Sequence, residues 1–174
     1  MHRLKVVVAC SVIAMAGLPA VAQEDKPTPQ PSETTETFGS WTVRCQKPSA
    51  QAPRTCEVLH TVQSQGNPIV QIAVGTPTGK ETPLIVVQTP LGVLVSQPVA
   101  ILKAQSGEPQ LSVPFQTCLQ IGCLAQLDID HETLDGLASG QAAKLAFAER
   151  TGRSVEITIP LNGMSDALTR LRQG

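Results

Sequence analysis

Apolar and polar residues alternate along most of the chain after Phe38, with the period of two that is typical of β-strands. Trp41, Val43 and Cys45 share one face of the first such segment, and polar residues lie between them. Similar alternation, or a short apolar run, predicts further strands at 56–62, 69–74, 84–87, 93–95, 99–104, 111–115, 125–129, 143–147 and 155–159. About ten short strands with frequent turns indicate an all-β fold, a sandwich of two antiparallel sheets.

Several of these segments carry more detailed signals. Residues 84–87 are apolar throughout, which predicts a strand covered on both faces. Pro114 predicts an edge strand or the end of a strand, because proline cannot donate to the ladder. Thr151 and Gly152 separate the last two strands and predict a hairpin.

Two short helices interrupt the strand pattern. Asp130 is a suitable N-cap for a helix from His131 to Ala138. Asn162 is predicted to cap a second helix, which spans 163 to about 172.

The first 22 residues have the pattern of a secretory signal peptide. Arg3 and Lys5 form a basic start, residues 6–18 are apolar, and a small-x-small motif predicts cleavage before Gln23. The apolar stretch is too short to cross a bilayer comfortably, and no later segment is apolar and long enough to do so. We therefore predict an exported protein with no transmembrane segment once the leader is removed.

Residues 23–37 are predicted to be a proline-rich, disordered linker, because they contain three prolines among polar residues and few groups to bury. A short polyproline ligand for a partner is the alternative interpretation. The sandwich domain is then predicted to span 38–174.

Composition narrows the classes of function. Of 174 residues, 41% are hydrophobic and 16% charged, and the formal net charge of -1 provides no general attraction to nucleic acid. Aromatic residues make up only 2%, which argues against platforms on which bases or sugars stack.

Four cysteines remain after the predicted leader, which contains Cys10, is removed. An even number in an exported chain predicts two disulfides, and the local pairing of Cys45 with Cys56 and Cys118 with Cys123 is favoured among the three possible pairings. A zinc site with four cysteine ligands is the alternative, but the spacings are wider than those of common zinc motifs.

Few residues indicate catalysis or metal binding. His60 is predicted on the apolar face of its strand, and His131 follows Asp128 and Asp130 closely in sequence. Alternation and helix capping direct these side chains differently, so we predict structural roles, with no catalytic, cofactor-binding or metal site. The 75–80 segment only partly matches a phosphate-binding loop, since the required Ser or Thr is replaced by Glu81.

An ordered set of short motifs resembles the invasion-associated locus B family. These motifs, spread from Phe38 to Leu171, are Phe38-Gly39-Ser40-Trp41-Thr42-Val43-Arg44-Cys45, Cys56-Glu57, Pro90-Leu91-Gly92-Val93, Pro114-Phe115 before Cys118, Gly122-Cys123, and Gly163-Met164 before Ala167, Leu168 and Leu171. The resemblance implies a bacterial envelope protein in the periplasm or on the outer surface, with an immunoglobulin-like sandwich and a link to host-cell invasion. It transfers no catalytic residue.

These features favour a non-enzymatic envelope protein that binds another protein or an envelope component. The loops at 46–55 and 76–82 are its candidate surfaces, since sandwiches commonly bind through loops and sheet edges. Two alternatives stay open: a hydrolase or metal-dependent enzyme that uses His60 or His131 with Asp128 or Asp130, and a periplasmic stress or folding factor.

Overall fold

A computed structural model describes residues 32–173 of the chain. The predicted signal peptide and the predicted linker as far as residue 31 lie outside this range, as does residue 174. The described part contains strands β1 (Ser32–Phe38), β2 (Trp41–Lys47), β3 (Thr55–Ser64), β4 (Asn67–Gly75), β5 (Leu84–Thr89), β6 (Val99–Lys103), β7 (Pro109–Val113), β8 (Phe115–Leu119), β9 (Gly122–Asp128), β10 (Ala142–Ala148) and β11 (Ser154–Pro160), and helices α1 (His131–Ala138) and α2 (Met164–Arg172).

The strands form two antiparallel sheets, which confirms the predicted fold class. The larger sheet has the order β1-β2-β3-β4-β5-β9-β8, so its first five strands follow one another as a meander. The smaller sheet has the order β11-β10-β6-β7. Among the described residues no helix is long and apolar enough to cross a bilayer.

One hydrophobic core fills the space between the sheets. Alternate residues of the larger sheet, such as Trp41, Val74 and Ile85, meet Leu145 and Ile159 of the smaller sheet in a single buried cluster. The indole Nε1 of Trp41 donates to the carbonyl oxygen of Pro160 at 2.9 Å, which satisfies its polar atom inside the core. Helix α2 packs against β1, β2 and β3 and contacts α1, so both helices extend this core.

Pro114 marks the point where the chain passes from one sheet to the other. It lies between β7, an edge of the smaller sheet, and β8, an edge of the larger one. The carbonyl oxygen of Pro114 accepts from the backbone N–H of Gln126 at 3.0 Å. The prediction of a strand end at an edge is confirmed.

The predicted linker extended too far toward the domain. Residues 32–37 belong to β1, which pairs with β2 from Ser32↔Lys47 to Phe38↔Trp41. Nearly all of these side chains are polar and exposed, so no apolar alternation could indicate a strand. β1 forms through backbone hydrogen bonds to β2 at the edge of the sheet. A pattern of hydrophobic residues does not reveal such pairing.

Three smaller predictions are also corrected. Residues 93–95 form no strand, because Val93 makes only an isolated bridge to Glu149. Leu84 and Val86 are half-buried, since nothing covers the outer face of β5 as fully as its inner face. Asn162 does not cap α2: Gly163 holds the N-cap position and makes no side-chain hydrogen bond.

Candidate functional site

His60 has a structural environment. It lies half-buried on the core side of β3, and its ring centroid is 5.3 Å from that of Trp41. Its Nδ1 lies 2.6 Å from the carbonyl oxygen of Ser40. Because a carbonyl oxygen only accepts, Nδ1 carries the proton and donates, so His60 joins β3 to the β1–β2 turn.

The residues around His131 are not assembled for acid–base chemistry. Asp130 caps α1: its carboxylate accepts from the backbone N–H of Thr133 at 2.7 Å and from the Thr133 hydroxyl at 2.8 Å. These hydrogen bonds lower the pKa of Asp130. Asp128 accepts instead from Lys80 Nζ at 2.8 Å. His131, exposed at the start of α1, is hydrogen-bonded to neither carboxylate.

The candidate metal ligands also lie apart. Within residues 32–173 no group of three or more His, Cys, Asp or Glu side chains is close enough to hold a metal ion. The four cysteines form the two local disulfides, Cys45–Cys56 across β2 and β3 and Cys118–Cys123 across β8 and β9. None of these four sulfurs is therefore free to act as a nucleophile or a metal ligand.

The 46–55 and 76–82 loops, which the sequence offers as candidate binding surfaces, lie next to each other in the structure. Together with both helices they surround a cavity of about 370 Å³, which we call the loop–helix cavity. This volume lies within the range of small-molecule sites. Its lining residues are Pro53, Arg54, Thr55, Cys56, Thr76, Pro77, Thr78, Gly79, Lys80, Pro83, His131, Leu134, Leu168, Leu171 and Arg172.

Both apolar and polar groups of the lining are accessible. Pro53 and Pro77 are exposed and Leu171 is half-buried, whereas Leu134 and Leu168 lie almost fully buried beneath them. Lys80, His131 and Arg172 are exposed to solvent. The accessible lining therefore combines apolar and charged side chains, as protein recognition sites commonly do.

Polar contacts hold each wall of the cavity in place. The Lys80–Asp128 ion pair ties the 76–82 loop to the end of β9, and the Arg172–Asp135 ion pair ties α2 to α1. Arg54 donates to the hydroxyl of Thr34 at 2.9 Å, which ties the 46–55 loop to β1. Each contact is exposed and contributes little stability by itself, but together they give the loops defined positions.

A second surface lies at the opposite ends of β4 and β5, and sequence reasoning did not identify it. Leu91, Leu119 and Ile121 are 58%, 50% and 66% exposed there. Beside them is a cavity of about 590 Å³ with no charged residue in its lining, which comprises Pro68, Ile69, Val70, Gln71, Gln88, Thr89, Pro90, Leu91, Gln120, Ile121 and Gly122. We call these residues, with Leu119, the hairpin-end surface. The apolar residues between Cys118 and Cys123 were the signal that could have revealed it.

Comparisons with known proteins agree with the resemblance noted in the sequence. The sequence model of the Invasion associated locus B (IalB) protein family matches residues 41–172. Invasion associated protein b from Bartonella henselae has a similar crystal structure, with a TM-score of 0.68 and 25% sequence identity over 80% of this chain and 95% of that one. No protein with a curated description matches the chain.

Proposed function

The chain belongs to the invasion associated locus B family, and from this premise we propose that it is an exported, non-enzymatic envelope protein that binds another protein or an envelope component through the loop–helix cavity. A part in host interaction belongs to the same proposal, because the similar Bartonella henselae protein is named invasion associated.

Two features support export. The chain begins with a basic, apolar and small-residue pattern typical of a signal peptide. All four cysteines after that pattern form disulfides, which persist in oxidising compartments such as the bacterial periplasm and cell surface.

The meeting of the 46–55 and 76–82 loops in the loop–helix cavity carries the binding proposal. These loops are separated in sequence by β3 and β4, yet Arg54, Thr55, Thr78 and Lys80 line the same cavity. Loops placed by a rigid sheet are common binding elements, because their side chains vary without disturbing the core. Pro53, Pro77 and Leu171 offer apolar contact area, and the exposed cations and hydroxyls of the lining offer polar contacts.

Binding is favoured over hydrolysis by how the carboxylates are engaged. Asp130 accepts from Thr133 and Asp128 pairs with Lys80, so His131 shares no hydrogen bond with either. A general base that acts on a nucleophile needs hydrogen-bond geometry and usually an orienting group.

Site-specific photo-crosslinking in intact cells tests the proposal. A photoreactive residue at Thr78, in the cavity lining, is expected to capture one recurrent partner. The matched control is Ser112 in β7, which is exposed but lies outside this cavity. The adduct should decrease when Thr76→Trp fills the cavity.

Three outcomes would contradict the proposal. Equal adducts at Thr78 and Ser112, or none at Thr78 under varied growth conditions, would remove the loop–helix cavity as a binding site. A measurable hydrolytic activity that His131→Ala abolishes without changing the Tm would replace the binding module with an enzyme.

A further inference from the structure

We propose that the Cys118–Cys123 disulfide is a reversible modification site: a dithiol reductant attacks the sulfur of Cys118, opens the bridge and releases the outer end of β8 while the domain stays folded. The disulfide acts here as an electrophile, so no free thiol is needed in the protein beforehand. The inference is independent of the proposed binding function. Cys123 pairs with Thr89 at the end of β5, whereas Lys80 and Pro83 of the loop–helix cavity precede its start.

The two residues of this bridge differ in exposure. Cys118 is exposed in β8, whereas Cys123 is only 2% exposed and pairs with the buried Thr89 of β5. In thiol–disulfide exchange a thiolate must reach one sulfur of the bridge, so access decides which sulfur is attacked. Cys118 is therefore the residue that an incoming dithiol can reach, and Cys123 provides the leaving group.

The edge position of β8 leaves the line of attack open. The attacking thiolate approaches a sulfur from the side that faces away from the leaving sulfur. Cys118 and Cys123 pair directly across β8 and β9, and β8 is the last strand of its sheet. The side of Cys118 that faces away from Cys123 therefore lies at the free edge, with no neighbouring strand within residues 32–173.

The Cys45–Cys56 bridge provides an internal comparison. Its more buried residue, Cys45, is 3% exposed, so both bridges would release a similarly buried thiolate. Cys56 is only half-buried and packs against the hydrophobic core. Thr34 of β1 pairs with Cys45 on its far side, and β4 lies beyond β3. Because the leaving groups are alike, we expect the difference in access to make Cys118–Cys123 the more rapidly reduced bridge.

The two thiols of the reductant balance the exchange. The first thiolate bonds to Sγ of Cys118 and breaks the S–S bond, so Cys123 leaves as a thiolate and takes up a proton. The second thiolate of the reductant then attacks the reductant's own sulfur in the mixed disulfide, and Cys118 leaves and is protonated in turn. The protein gains two electrons and two protons, and the reductant ends as a disulfide. The reverse exchange closes the bridge again.

The position of β8 explains why reduction should release only part of the sheet. β8 pairs with β9 alone, and its register is irregular between Phe115 and Thr117. From Thr117 to Leu119 every residue is exposed, so little packing supports the bridge and the backbone pairing there. Leu119 belongs to the hairpin-end surface. The redox state of the bridge therefore controls the shape of that surface without disturbing the core strands.

Reduction of the oxidised mature protein by dithiothreitol tests the proposal. Samples taken over time are alkylated with N-ethylmaleimide, digested and analysed by mass spectrometry, so that each cysteine is followed separately. We expect Cys118 and Cys123 to be labelled about tenfold faster than Cys45 and Cys56. In concentrated urea, where the fold no longer restricts access, this difference should disappear.

A trapping experiment identifies the sulfur that is attacked. The probe is a thioredoxin whose second active-site cysteine is replaced by serine, so that the exchange stops at the mixed disulfide. The adduct should form at Cys118. The double variant Cys45→Ala/Cys56→Ala should form as much adduct as the unmodified protein, whereas the matched variant Cys118→Ala/Cys123→Ala should form none.

Hydrogen exchange tests the release of β8. When dithiothreitol has opened only the Cys118–Cys123 bridge, the amides from Thr117 to Leu119 should lose protection, and those of β4 should keep it. Equal labelling rates for the two bridges in the folded protein, an adduct at Cys123 or Cys56, or unchanged protection in β8 would each overturn the proposal. The Thr78 photo-adduct reports the other end of the sheet, so the two proposals fail separately.

Discussion

At the scale of single residues, Gly163 explains how α2 begins. Its φ of 83° lies in the left-handed region, and a Cβ there would be 2.1 Å from the carbonyl oxygen of Phe38. Only glycine allows this approach of the chain to the β1–β2 turn. The side chain of the neighbouring Asn162 accepts from the hydroxyl of Ser40 at 2.8 Å. It therefore connects the start of α2 to the β1–β2 turn instead of capping the helix.

Gly163→Ala is therefore expected to destabilise the protein by about 2–3 kcal/mol, since left-handed strain of about 1 kcal/mol adds to the displacement of a backbone oxygen. Gly152→Ala is the matched control, because Gly152 has a φ of 86° but a Cβ added to it would have no neighbouring atom within 4 Å. That control should lose only about 1 kcal/mol. Urea unfolding measures the free energy of unfolding of both variants. An equal decrease in both would mean that the close approach of Gly163 to Phe38 does not affect stability.

At the scale of elements, the two disulfides constrain different parts of the larger sheet. Cys45–Cys56 closes 11 positions of sequence beneath the helices, and Cys45 is buried in the core. Cys118–Cys123 closes only 5 positions at the exposed hairpin. In the chain-entropy description the longer loop provides more stabilisation, about 3 against about 2 kcal/mol.

Replacing both cysteines of one bridge by alanine separates these contributions. Loss of Cys45–Cys56 should lower the free energy of unfolding by about 3 kcal/mol and change the fluorescence of Trp41, the single tryptophan, which shares a strand face with Cys45. Loss of Cys118–Cys123 should cost about 2 kcal/mol and leave that fluorescence unchanged. Denaturant unfolding followed by fluorescence and circular dichroism measures both. Unchanged midpoints would show that neither bridge stabilises the fold.

Elements with strong local patterns were predictable from sequence, and elements that depend on distant contacts were not. The alternation of Val70, Ile72 and Val74 and the Asp130 cap both have local physical causes, and both predictions agree with the structure. The meeting of the 46–55 and 76–82 loops depends on sheet order, which no local pattern specifies. The exposure of Ile121 likewise follows from where the hairpin lies, because isoleucine is among the residues most often buried and its type alone would predict burial.

At the scale of the whole molecule, the N-terminal strand joins parts of the domain that are far apart in sequence. β1 pairs along its length with β2, Glu36 forms an ion pair with Arg170 of α2 at 2.7 Å, and Thr34 accepts from Arg54. The hydrogen bond from Arg170 lowers the pKa of Glu36, so this contact favours the ionised carboxylate. The folded unit therefore includes residues that the composition alone assigned to a linker.

Three chains that differ only at the N-terminus test this boundary. A chain beginning at Ser32 should have the same Tm as one beginning at Gln23, because both keep β1. A chain beginning at Phe38 should have a lower Tm and a greater tendency to aggregate, because it loses the strand that covers β2 and the partner of Arg170, and it exposes a new sheet edge. Thermal unfolding and light scattering measure both effects. If all three chains have the same Tm and the same tendency to aggregate, residues 32–37 add no stability and belong to the linker, not to the folded unit.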